Sequence, residues 1–196
     1  MEVKRYSEDP NKYWPLIERF RLKTFEEGNQ SLTHKKYNQD SSEIETWMCF
    51  EDDELISISA AERSHYTKDP NIAIRVCRYH ILKKHRFSHC GLIMGEHQIK
   101  WAREKGFKIL YVTHDIKNKA INSLYQRKKQ MTDKAFKEHI HGEWYTKLQL
   151  ERGFLFKTGD MLQYVYSIRL QDDNYIWQPK SDYILKRKHD GNINET

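Results

Sequence analysis

Between Ile72 and Thr113 the chain passes from a strand-like apolar run, through a short loop, into an amphipathic helix and out into a second apolar run. This order constrains the fold more than any other feature. Ile72 to Leu82 and Phe107 to Thr113 are both rich in β-branched and aromatic residues and read as strands. In the helix between them Leu92, Gly95, Ile99 and Ala102 form one apolar stripe, and Gly106 stands where a C-cap glycine is expected. The first backbone N–H groups of a helix have no partner within it. The loop Arg86, Phe87, Ser88, His89, Cys90, Gly91 therefore reads as a ready site for a phosphate.

The flanking sequence fills in an α+β domain. Val3 to Tyr6 reads as a first strand, and Asp9 followed by Pro10 is a helix-start signal, with Trp14, Ile17, Phe20, Leu22 and Phe25 proposing the buried face. Residues 27–45 are polar and irregular. Trp47 to Phe50 and Leu55 to Ala61 read as a hairpin around the acidic turn Glu51, Asp52, Asp53, so four strands precede the helix just described. Asn118 to Arg127 reads as a short second helix after the strand that ends at His114 and Asp115. Phe154 to Lys157 and Met161 to Leu170 read as a last hairpin. The expectation is a mixed, mostly antiparallel sheet flanked by helices in a single domain, 1–170, with a polar tail, 171–196, whose last residues are expected to be poorly ordered.

Bulk composition narrows the partners without choosing one. No apolar run reaches the length of a membrane span and the first residues lack the apolar centre of a signal peptide, so no membrane is expected and the expected compartment is the cytoplasm. The three cysteines are far apart and read as reduced, with Cys49 and Cys77 as small core residues. The ten histidines are scattered without zinc-ligand spacing, and no metal is expected. A formal charge of +6 favours anionic ligands, whether nucleic acid, a phosphorylated cofactor or an acidic protein. Oligomeric state is left open.

Specific residues carry a family resemblance. Arg86 and Gly91 fit the pattern of Arg or Gln, two residues, Gly, one residue, Gly or Ala, with His89 where the first glycine is usual. The helix runs on to Trp101, Ala102 and Gly106 at the expected length, and Asn118 to Tyr125 is similar to an Asn-x-x-Ala-x-x-Leu-Tyr element, with Ile121 at the alanine position. Over residues 54–126 the chain resembles the GNAT superfamily of N-acyltransferases. The resemblance implies a GNAT-like fold and acetyl-coenzyme A as acyl donor. Its pyrophosphate would be held by the loop Arg86 to Gly91 (Phe87, Ser88, His89 and Cys90 included), and its pantetheine arm would lie along Tyr79, His80, Ile81 and Leu82. By the same resemblance Asn118 contacts the arm, and the Tyr125 hydroxyl protonates the leaving thiolate as a general acid. A backbone N–H near Ile81 would serve the oxyanion, with His80 and His114, backed by Glu62, as candidate bases for the acceptor amine.

Two functions stay open at this point. One is an N-acetyltransferase acting on a primary amine of a small molecule or a protein. The other is a catalytically silent module of the same fold that holds nucleic acid or a protein partner through Lys83, Lys84, His85, Arg86 and Arg127, Lys128, Lys129.

Overall fold

The structure is a computed structural model that describes residues 1–26, 43–63, 71–86, 88–115, 117–118, 149–158, 161–171 and 184–186. Its elements are β1 (Glu2–Arg5), α1 (Pro10–Glu26), β2 (Glu43–Glu51), β3 (Glu54–Arg63), β4 (Ala73–Ile81), α2 (Cys90–Glu104), β5 (Ile109–Asp115), β6 (Gln149–Thr158), β7 (Met161–Arg169) and β8 (Ile184–Lys186). The eight strands form one sheet in the order β1-β2-β3-β4-β5-β7-β6-β8. Every neighbouring pair is antiparallel except β4 and β5, which are parallel and joined through α2. The α+β class, the mixed and mostly antiparallel sheet, and both hairpins are as expected from the sequence.

Local chemistry explains the element ends. The Asp9 carboxylate accepts the Lys12 N–H at 3.1 Å, an N-cap that leads into Pro10. The tight β2–β3 turn places Asp52 and Asp53 at φ 47° and 61°, the two successive left-handed residues of a twisted hairpin. At the end of α2, Gly106 takes φ +81° while its N–H reaches the Arg103 carbonyl and the Phe107 N–H reaches Ala102, a Schellman closure.

The two helices cover opposite faces of the sheet. Tyr13, Ile17 and Phe20 of α1 pack with Met48, Leu55, Ile58, Ala60 and Leu82. Met94, Ile99, Trp101 and Ala102 of α2 pack with Trp47, Cys49, Ile56, Ile74, Val76, Leu110, Val112 and Tyr166 on the other face. Trp47 and Trp101 meet edge to face at 5.1 Å, and Trp101 stacks on Phe107. Leu22 corrects the expected stripe of α1: it is 65% exposed, because five residues beyond Ile17 is the wrong side of a helix, and Thr24 is buried instead. Asn118 lies in the described chain, but the helix expected over Asn118 to Arg127 falls otherwise outside it. Ile184–Lys186, inside the segment read as polar tail, pairs with β6 and forms the last strand of the sheet.

Candidate functional site

In the middle of the sheet β4 and β5 start together and then part. Their ladder runs from Ala73 opposite Ile109 to Val76 opposite Val112 and ends there. Beyond it β4 continues to Ile81 on the edge of β3, and β5 continues to Asp115 on the edge of β7. Each wall of the opening thus keeps a strand partner on its outer side. The parting coincides with a bulge: Ala60 pairs with Cys77 and Ile58 with His80, so Arg78 and Tyr79 together oppose Ser59. The extra residue bends β4 away from β5.

The loop into α2 lies beyond the end of the β4 wall. A short 3-10 turn, Lys83–His85, follows Leu82, whose N–H is engaged by the Ile56 carbonyl and whose carbonyl is engaged by the His85 N–H. Leu82 is fully buried in the α1-side cluster, so its backbone serves the fold, and Tyr79 to Ile81 remain as wall. Arg86 and His89 are exposed and Ser88 is half-buried. The Ser88 hydroxyl and N–H both donate to the His85 carbonyl, at 2.7 and 3.0 Å. His89 is the N-cap of α2, with φ −77°, and its carbonyl accepts the N–H groups of Leu92 and Ile93. A histidine therefore sits at the usual glycine position without backbone strain. Cys90 is buried, and burial raises its thiol above the ordinary range. At Gly91 a Cβ would come 2.7 Å from the Tyr79 hydroxyl, so this glycine permits the close approach of the β4 wall to the helix start. Phe87 and Tyr125 lie outside the described residues. Asn118 is exposed, and its N–H donates to the Asp115 carbonyl at the end of β5.

The two candidate histidines face opposite sides. His80 pairs with Ile58, a member of the α1-side cluster. His114 lies two residues beyond Val112 on the α2 face, and its ring is 5.9 Å from that of Tyr166. Burial first, and the Arg75 guanidinium second, push the His114 imidazole down to about 4. At neutral pH it is an uncharged hydrogen-bonding group and a weak base.

At the base of the opening Arg75 ties three strands together. Its Nη1 donates to Glu62 of β3 and its Nη2 to Thr113 of β5, each at 2.8 Å. Glu62, a candidate helper base in the sequence, is thereby an ion-pair partner. A second charged cluster anchors the turn before the loop. Lys23 and Lys84 both donate to Glu54 at 2.6 Å, which holds that carboxyl down at about 2, and His85 lies 3.0 Å from Glu51. Two members of the basic run Lys83 to Arg86 are thus already paired with carboxylates.

Sequence reasoning missed Arg75 and Thr113 at the opening, Ser57 and Ser59 against the bulge, and Gln98, whose side chain reaches Ser59. The available signal was polar residues at core-periodic positions, Gln98 falling four residues after Met94 on the buried side of α2. Among the described residues, no helix is long and apolar enough to cross a membrane.

No family model and no curated protein sequence matches the chain. Solved structures do match in fold. An acetyltransferase of GNAT family from Streptococcus pneumoniae is similar over 87% of this chain and 100% of its own, with 15% identity and a TM-score of 0.58. An aminoglycoside 6'-acetyltransferase type Ii is similar over 88% of this chain and 99% of its own, with 13% identity and a TM-score of 0.57. The chain has the GNAT-like fold that these structures share.

Proposed function

We propose, proceeding from that fold, that the chain is an N-acetyltransferase that moves an acetyl group from acetyl-coenzyme A to a primary amine. One observation carries the reading: β4 and β5 separate after Val76 and Val112, beside a bulge, and the opening leads to the loop that starts α2. The donor supplies an activated acyl carbon. The amine nitrogen bonds to that carbon, the carbon–sulfur bond breaks, the amine loses a proton and the thiolate gains one.

This chain's residues have separable roles. The start of α2 offers the positive end of a 15-residue helix and Arg86 one exposed guanidinium for a diphosphate, while the Arg86 and Ser88 N–H groups are engaged within the turn and loop. The backbone of Tyr79 to Ile81 lines the thioester arm, and Asn118 stands at the far wall. His80, half-buried on the α1 face, is the proposed base, and His114, held neutral with little affinity for a proton, is not. Tyr125 is the proposed acid.

A silent binding module is favoured by one observation, the Tyr79 phenol lying against Gly91 at the helix start. Thermal unfolding with and without acetyl-coenzyme A separates the readings. An acetyltransferase gains about 2.7 kcal/mol at a donor concentration one hundred times Kd, loses most of that gain in Arg86→Ala, and releases thiol when amines are added. A melting temperature indifferent to millimolar donor, with salt-sensitive retention of nucleic acid, overturns the proposal in favour of the module.

A further inference from the structure

We infer that Gln98 of α2 is a positioning residue for the β4 wall, acting through Ser59 alongside Ser57, a role that rests on the acetyl-transfer reading above. The Gln98 side chain is fully buried, and its Nε2 donates to the Ser59 hydroxyl at 2.9 Å. Ser59 in turn donates to the Cys77 carbonyl at 3.3 Å, and the Ser57 hydroxyl donates to the His80 carbonyl at 2.8 Å. Cys77 and His80 are the residues on either side of Arg78 and Tyr79, so both ends of the bulge are fixed by hydroxyls from β3. One of those hydroxyls is fixed in turn by the helix that begins at the anion loop.

The surroundings make this arrangement specific. Ser57 and Ser59 pair with Cys49 and Trp47, members of the apolar cluster on the α2 side that also holds Met94 and Ile99. Buried polar atoms in such company must be hydrogen-bonded or they destabilise the fold. Gln98 Oε1 nevertheless has no hydrogen-bond partner among the described residues. A leucine or methionine would fill the same space with no bare acceptor. What the amide adds over them is its donor hydrogen, aimed at the bulge. The network couples the wall to α2, and it sets the direction in which the backbone of Tyr79 and His80 meets the arm of the donor.

Amide hydrogen exchange and donor titration test this on the full chain. In Gln98→Leu and in Ser59→Ala, exchange at Tyr79 and His80 rises by about tenfold while Leu110 and Val112 keep their protection, because the opening is local. The KM for acetyl-coenzyme A rises by about the same factor with kcat changing less, as expected when a donor-binding surface is loosened. Ser59→Thr, which keeps the hydroxyl, restores both. Exchange unchanged at residues 79–80, or raised equally across β5, overturns the positioning role, and so does a Ser59→Thr variant that behaves as Ser59→Ala. Should Gln98→Leu not fold, Ser59→Ala against Ser59→Thr decides the same question. Failure of the wild type to bind acetyl-coenzyme A in a calorimetric titration overturns the acetyl-transfer reading, whereas the exchange pattern still tests the role of Gln98 in holding the bulge.

Discussion

The two halves of β4 are built from the same strand and do opposite work. From Ile74 to Val76 it is paired on both edges, and Ile74 and Val76 are buried. From Cys77 to Ile81 it is paired on one edge, through a bulge, and its described side chains are half-buried. The first half is held by packing on both faces, so a side chain there matters for stability. The second half is held through its backbone pairing with β3 and by hydroxyls from β3. A sheet can therefore contain a site without losing its centre, provided each wall keeps an outer neighbour.

The sharpest way to break this comparison is to truncate one side chain in each half. Ile74→Ala, in the fully buried half, should lower unfolding free energy by about 3 to 4 kcal/mol in urea titrations. His80→Ala should move it by less than about 1 kcal/mol while impairing amine acetylation. Equal stability losses at the two positions would show that the halves do not differ as described. Next in size is Arg75→Met at the point where the strands part. It leaves the Glu62 carboxylate buried without its cation and should cost about 3 kcal/mol. Adding Glu62→Met should recover a good part of that loss; no recovery would mean that Arg75 acts by packing alone.

The wall on β5 gives a pH test. The folded state holds His114 at about 4, below its ordinary value of 6.5, so protonation favours the unfolded chain. Its contribution is complete above pH 6.5 and is lost as pH falls from there towards 4. Denaturation series should show about 2 kcal/mol gone by pH 5 from this group alone. His114→Phe should flatten that part of the profile, and an unflattened profile would remove His114 as its source. The smallest effect is at the mouth of the loop. Gly91→Ala brings a methyl against the Tyr79 hydroxyl and should cost about 1 kcal/mol in thermal melts, with most of it regained in the double variant with Tyr79→Phe.

Much of the frame was legible in the sequence because its signals are local. The Asp9 cap, the Asp52–Asp53 turn and the Gly106 closure each depend on residues within one turn of one another, and all three are in the structure. The order strand, loop, helix, strand followed from β-branched and aromatic content in the strands and helical periodicity between them. The resemblance implied that the fourth strand bulges away from the fifth, but the place of the bulge was not legible, since nothing in the run from Ile72 to Leu82 marks where pairing with a neighbour shifts by one residue. Ser57 and Ser59 were hidden by a related effect. Their alternation with Ile56, Ile58 and Ala60 suggests a strand with one wet face, but β3 is covered on both faces and the serines are buried. The ion pair of Glu62 and Arg75 spans 13 positions between two strands, and only their register brings them together. Of the site residues read from the resemblance, the structure brings Tyr79 and Gly91 into proximity and sets His80 and His114 on opposite faces. Phe87 and Tyr125 fall outside its described residues.

The perpendicular indoles of Trp47 and Trp101 join the second strand to the helix that carries the loop. Two such chromophores locked at 5.1 Å couple their electronic transitions, so the chain carries an intrinsic optical gauge of whether that helix is seated. Its chiroptical band reports docking of the helix directly, with no dye attached and no residue of the opening disturbed.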